Sequence, residues 1–226
     1  MTRMPRHAGL VRITHWITTL CFFALLVSGV QIVISHPRFY WGEDGNVLMP
    51  ALFSLPIPAS RGAVQTGYDY VLKDQNGWSR YLHFQTGWIV LATGLLYVGY
   101  GWRSRHFRQN LLPTASVLSS FRQHLRFTRP TTAEAQSYNP LQRVSYLAVV
   151  FVLFPAMIWT GLAMSPAFTG AFPFIVDWLG GFQSARTIHF LVTLTLVLFV
   201  IVHVVMVSMA GFRGRMRAMI TGKEPS

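Results

Sequence analysis

Four largely apolar stretches dominate this sequence: residues 13–35, 81–100, 144–165 and 186–210, the last spanning about 187–210. A helix needs about 20 such residues to cross the hydrocarbon core of a bilayer. Within that core every backbone N–H and C=O must find its partner inside the protein, which favours helices over open sheet. The expectation is an all-α integral membrane protein, a four-helix bundle with short interfacial helices in its loops, forming one domain over residues 1–226. Pro155 lies within the third stretch and predicts a kink there. The first stretch is too long for the core of a cleavable signal peptide and no A-x-A-like site follows it, so it reads as a retained span.

Composition agrees. Of 226 residues, 52% are hydrophobic and only 12% charged, about half the charge of an ordinary soluble domain. The mean hydropathy is +0.39. The net charge of +12 is distributed by loop. Arg3, Arg6 and Arg12 precede the first span. Arg103, Arg105, Arg108, Arg122, Arg126 and Arg129 follow the second, with Arg143 at the loop's end. Arg213, Arg215, Arg217 and Lys223 form the tail. If four spans alternate, these three regions share one side, which the positive-inside rule makes cytoplasmic. The other side has Arg38, Arg61, Lys73, Arg80 and Arg186 mixed with Glu43, Asp44, Asp69, Asp74 and Asp177. The expected protein is therefore multi-pass in a bacterial cytoplasmic (inner) membrane, with both termini inside. Basic residues that follow topology, rather than one soluble module, argue against a nucleic-acid partner.

Residues 113–127 place Val117, Leu118, Phe121 and Leu125 on one helical face beside Arg122 and Arg126. That pattern fits a helix lying on anionic lipid and fits a solvated loop nearly as well. The loop at 166–185 is mostly apolar and suits the membrane interface or a docking surface. A single cysteine, Cys21, permits no internal disulfide, and the absence of C-x-x-C-H argues against covalently attached c-type haem. Thiolate zinc sites are excluded on the same count.

Histidine carries the chemical signal. His189 and His203 share the last span, fourteen positions apart (189 to 203). Fourteen residues make nearly four helical turns, so both rings lie on one face about 21 Å apart. His15 begins the first span and His83 the second. By depth, His83 pairs with His189 on the outer side and His15 with His203 on the inner side. Ionisable side chains inside a membrane mark function more often than packing. Two imidazoles at one depth suit the two axial positions of a haem iron, and filling both leaves no open coordination site, which favours electron transfer. Interhelical hydrogen bonding explains one such histidine readily and four depth-matched ones poorly. His36, beside Pro37, suits either a turn or the edge of a quinone pocket.

Two further patterns accompany the rings. Arg12, Arg80 and Arg186 each precede a span histidine by three residues. One turn nearer the surface is where haem propionates would emerge, and arginine binds carboxylates bidentately, although flanking arginines also simply snorkel. Gly29 lies fourteen residues after His15, and Gly94 eleven after His83. Either could make room for a porphyrin, or for close helix packing.

These features resemble the bacterial di-haem cytochrome b561 family, which includes the b-type subunits of nickel–iron hydrogenases, formate dehydrogenases and thiosulfate reductases. The matching residues are His15, His83 and the His189/His203 pair, and the likeness covers nearly the whole chain. The stretches SHPRFYWG, RHFRQNLLPT and MITGKE look closest to the thiosulfate-reductase type. The resemblance implies two non-covalent b haems, held by His83/His189 and His15/His203. It implies electron exchange with the quinone pool and an extracytoplasmic redox partner of the molybdopterin type. The long loop at 36–79 departs from the hydrogenase-type pattern. Two rival readings stand beside it: a stand-alone quinone-linked transmembrane reductase, and a non-redox membrane protein whose histidines bind metal or carry protons.

Overall fold

The computed structural model describes residues 8–46, 48–57, 69–108 and 140–222. Helix α1 (Gly9–Ser35) leads to strands β1 (Arg38–Phe39) and β2 (Phe53–Ser54), then helix α2 (Asp69–Arg103). Helix α3 (Pro140–Ala148), a π-helical turn (Val149–Leu153) and helix α4 (Phe154–Ala163) follow without a break. Two short helices, α5 (Pro166–Thr169) and α6 (Phe174–Asp177), precede the long helix α7 (Phe182–Met209) and the terminal α8 (Phe212–Thr221). The amphipathic segment at 113–127 lies outside the described residues.

The protein is mostly helical. Among the described residues three stretches, Gly9–Ser35, Arg143–Ala163 and Phe182–Met209, are long and apolar enough to cross a membrane. The expected second span lies within α2, whose apolar run is diluted by His83, Gln85, Trp88 and Tyr97; it is not among those three. The apolar helices bury little against their own chain. Leu194, Leu198 and Ile201 of α7 are 50%, 61% and 57% exposed, a surface that lipid covers and water does not.

At Pro155, where a kink is expected, the helix has a π-helical turn just before the proline. Pro155 has no N–H to donate, and its ring would collide with the carbonyl four residues back. Widening the preceding turn relieves both problems, and the N–H of Phe154 reaches back to the carbonyl of Val149.

By contacts the chain divides into two compact units. One comprises Thr14–Gly94 and Ala156–Leu194. Its core is Ala163, Ile175 and Ala185, flanked by Leu162, Met164, Phe168, Val176 and Leu179. Trp159 stacks on Trp178 with ring centres 5.4 Å apart, fixing α6 beside α4. The loop after α1 contains a short antiparallel pair, Arg38 opposite Ser54 and Phe39 opposite Phe53, where only loop was expected. Aromatic packing explains it. Phe39 is 1% exposed and stacks between Phe53 at 4.7 Å and Phe190 of α7 at 4.4 Å.

The same loop caps α7. The first N–H groups of a helix have no partner within it. Here Phe182 N–H donates to the Glu43 carboxylate, and Gln183 and Ser184 N–H donate to the Gly42 carbonyl. The Ser184 hydroxyl accepts from Gly42 N–H at 2.8 Å. Gly181 has φ +110°, and a Cβ on it would run into the Gly42 backbone, so this approach needs glycine.

The other unit comprises Met1–Ile13, Leu95–Pro155 and Thr195–Ser226. After α2 the chain turns through Arg105 at φ 58° and packs Phe107 against Gly101 and Phe151. Gly211, at φ 95°, turns the chain from α7 into α8, and Gly222 closes α8 with a bond to the Ala218 carbonyl. The Arg12 guanidinium donates to the Ile220 carbonyl at 2.9 Å.

Candidate functional site

His83 on α2 and His189 on α7 face one another within the first of these units. Their ring centres are 6.1 Å apart and their planes differ by 58°. An imidazole nitrogen sits about 2 Å from a bound transition metal, and its ring centre about 1 Å further back, so opposed axial ligands have centres about 6 Å apart. Axial rings both contain the metal–nitrogen axis and are free to differ by rotation about it, so the observed angle is compatible. Among the described residues no three His, Cys, Asp or Glu side chains gather to hold a metal ion. Two opposed imidazoles are too few for a structural zinc site. They are the number an iron needs when a porphyrin fills the other four positions.

Each ring is held from behind by a hydroxyl. The Ser28 oxygen is 2.9 Å from Nδ1 of His83. The Thr160 oxygen is 2.8 Å from Nδ1 of His189. Both hydroxyls also reach the helical carbonyl four residues back, Ser28 to Ala24 and Thr160 to Ala156, each at 2.7 Å. Beside each hydroxyl comes a glycine. A Cβ on Gly29 would stand 3.5 Å from Cε1 of His83, and one on Gly161 would stand 3.6 Å from Cε1 of His189. Both are ordinary van der Waals distances, so α1 and α4 pass the rings with room for a methyl at these positions and little more.

His203 belongs to the other unit. Its ring stacks on Phe199 at 5.8 Å, and its Nδ1 lies 3.4 Å from the Tyr146 hydroxyl. His15 meets Trp16 edge-on at 5.3 Å, and its carbonyl accepts from the Thr19 hydroxyl. His15 and His203 fall in different units.

The arginines differ among themselves. Arg12 is half-buried, bonded to Ile220, and its buried Nε has no hydrogen-bond partner. Arg80 is exposed. Arg186 donates to the His36 carbonyl and to the Gln183 side chain, and lies 4.8 Å over the Phe39 ring. In this arrangement it ties the loop to α7. A Cβ on Gly29 would touch His83, whereas one on Gly94 would meet nothing within 4 Å.

Sequence reasoning missed Ser28, Thr160, Gly161 and Tyr146. The signal for the first three is a repeated dipeptide. Ser28-Gly29 and Thr160-Gly161 each put a hydroxyl beside a glycine in mid-span, where neither residue helps the helix.

The model of the family described as prokaryotic cytochrome b561 matches residues 6–222. The chain is also similar to the putative protein-methionine-sulfoxide reductase subunit YedZ1 of Azospira oryzae, 26% identical over 214 residues, 90% of each chain. No solved structure matches it. With a match along nearly its whole length, the chain belongs to the prokaryotic cytochrome b561 family.

Proposed function

We propose that this membrane haem protein is a di-haem b-type cytochrome of a bacterial inner membrane, built on four spans with both termini in the cytoplasm. It passes electrons between the quinone pool and an extracytoplasmic redox partner. His83 and His189 hold the outer haem, and His15 and His203 the inner one. The observation that carries this reading is the 6.1 Å opposition of His83 and His189. The Nδ1 of each is occupied by a hydroxyl on another helix.

Bound there, haem supplies reversible one-electron chemistry. The residues do the rest. His83 and His189 would hold the haem iron between them, and two histidine ligands would leave it no position for substrate. Ser28 and Thr160 orient the rings. Apolar α1 and α7 side chains keep water away. The buried, unpartnered Nε of Arg12 supports a role in receiving a haem carboxylate. Arg80 is free to swing toward one. Arg186 would exchange its Gln183 contact for it.

The relative's description as a reductase subunit supports a chain that serves a separate catalytic subunit. A molybdopterin oxidoreductase is the partner type the resemblance suggests. Protein-bound methionine sulfoxide is the terminal acceptor that the relative's description suggests.

The test is a purified chain, a reduced-minus-oxidised spectrum and a pyridine haemochrome count. Sharp six-coordinate b-type bands at about two haems per chain support the assignment. Reduction by a quinol in vesicles, followed by oxidation only when a partner is added, supports the relay role over a stand-alone reductase. A folded, haem-supplied preparation without haem returns the histidines to metal or proton binding.

A further inference from the structure

We propose that Ser28 and Thr160 are positioning residues that fix the tautomer of His83 and His189 and, through it, hold down the reduction potential of the haem between them. The second half of this rests on the haem reading above; the first half does not.

The argument begins with one proton. A serine or threonine hydroxyl carries a single hydrogen and can accept others. Ser28 approaches the Ala24 carbonyl at 2.7 Å and the Leu25 carbonyl at 3.1 Å. Thr160 approaches Ala156 at 2.7 Å and Met157 at 3.1 Å. A carbonyl oxygen has only lone pairs to offer. Two oxygens 2.7 Å apart repel unless a hydrogen lies between them, so each hydroxyl hydrogen belongs to its own helix.

What remains on each hydroxyl is lone pairs, facing an Nδ1 at 2.9 Å in one case and 2.8 Å in the other. That contact is a hydrogen bond only if Nδ1 carries the proton. Both histidines are thereby set as Nδ1–H tautomers, with Nε2 left as the nitrogen whose lone pair is free. A ligating histidine needs its partner nitrogen held in this way.

Burial makes the assignment firm. Ser28 is fully buried and Thr160 is 1% exposed, so water offers neither hydroxyl an alternative donor or acceptor. The device occurs twice, on α1 and on α4, and neither helix contributes a histidine to this pair. Each time it is the same dipeptide, hydroxyl then glycine. The glycine stands beside the ring with room for no more than a methyl, and the hydroxyl sets the ring's proton.

An Nδ1–H that donates to an acceptor makes the imidazole a stronger electron donor. That favours ferric over ferrous iron and lowers the potential. Losing both acceptors raises it.

The experiment has two arms. In the full-length chain, haem-free and labelled with 15N in its histidine side chains, the 15N shifts report the tautomers of His83 and His189 directly. The expected result is protonated Nδ1 at both; Nε2–H at either overturns the proposal. In the haem-loaded chain, redox titration compares wild type with Ser28→Ala, Thr160→Val and their combination. Ser28→Thr and Thr160→Ser serve as conservative controls. The combined variant is expected to bind this haem 10- to 100-fold more weakly. Its ferrous-to-ferric ratio at a given potential is expected to rise at least about tenfold, an upward shift of about 59 mV. The conservative variants are expected to stay at the wild-type potential. An unchanged potential and affinity in the combined variant overturns the haem half. A wild-type chain that takes up no haem overturns the function reading instead, and the 15N arm still decides the tautomers.

Discussion

Tyr146 holds His203 more loosely than Thr160 holds His189: its hydroxyl lies 3.4 Å from Nδ1, against 2.8 Å for the threonine. At 3.4 Å a hydrogen bond is near its limit. Tyr146→Phe is therefore expected to keep both haems and weaken the inner one by about tenfold or less, the low end for a residue behind a ligand. Haem titration of the apoprotein checks this. A loss as large as that of the combined Ser28/Thr160 variant means the phenol does more than this spacing allows.

Removing a ligand is more severe. His189→Ala and His83→Ala are each expected to lower the count from about two haems to about one per chain. His203→Ala and His15→Ala are expected to do the same with the complementary spectrum surviving. The α band that remains after each substitution reads out the pairing. Two haems remaining in either member of a pair would show that the pair is wrongly drawn.

Gly29 separates contact from blockage. A methyl there meets the His83 ring at 3.5 Å, an ordinary van der Waals distance. Gly29→Ala is expected to leave haem content near wild type. Gly29→Leu pushes its branch into the ring and is expected to remove the haem proposed at His83. Equal effects from both variants would mean that backbone flexibility, not space, is what this glycine provides.

The loop that caps α7 is a stability element. The buried Thr187 hydroxyl donates to the Tyr40 carbonyl at 2.7 Å. Thr187→Val leaves that carbonyl unpaired and is expected to cost about 1–3 kcal/mol. Gly181→Ala is expected to cost at least 1–2 kcal/mol from the left-handed backbone alone, with the clash against Gly42 added. Thermal unfolding in detergent measures both.

His106 lies beyond α2, against Tyr97, Tyr100 and Phe107. Burial pushes its imidazole below the ordinary histidine range. A lowered value in the folded state means that the unfolded chain takes up the proton first. Stability is then full above the ordinary pKa of about 6.5, and falls as pH drops below it until the folded ring also charges. His106→Phe is expected to flatten that part of the stability-against-pH curve. A slope unchanged in the variant assigns it to another group.

Three of the four expected spans were legible because hydropathy is a local property of a chain. The expected second one, within α2, is not among the helices apolar enough to cross a membrane, and among the histidines singled out by spacing His83 and His189 do meet. Pro155 marked the place of a helix irregularity because it too is a local feature, though a π-helical turn was not the form expected. Ser28 and Thr160 escaped because each matters only through a neighbour on another helix. They lie 55 and 29 residues from the histidines they touch. Arg186 was chosen by its offset from His189, yet its nitrogens also serve the His36 carbonyl. Offset alone does not reveal a competing acceptor contributed by a distant loop. The two-residue strands carry no periodic signal; stacking of Phe39 on Phe53 and Phe190 creates them.

The cap on α7 also bears on how electrons enter or leave. Tyr40, Gly42 and Glu43 are bonded to residues 182–187, and His189 follows two positions later on the same rigid helix. The bonded loop residues and the ring are thus joined through one continuous helix. If the proposed redox partner docks on these loop residues, the distance an electron has to tunnel would depend on how closely that partner fits against them.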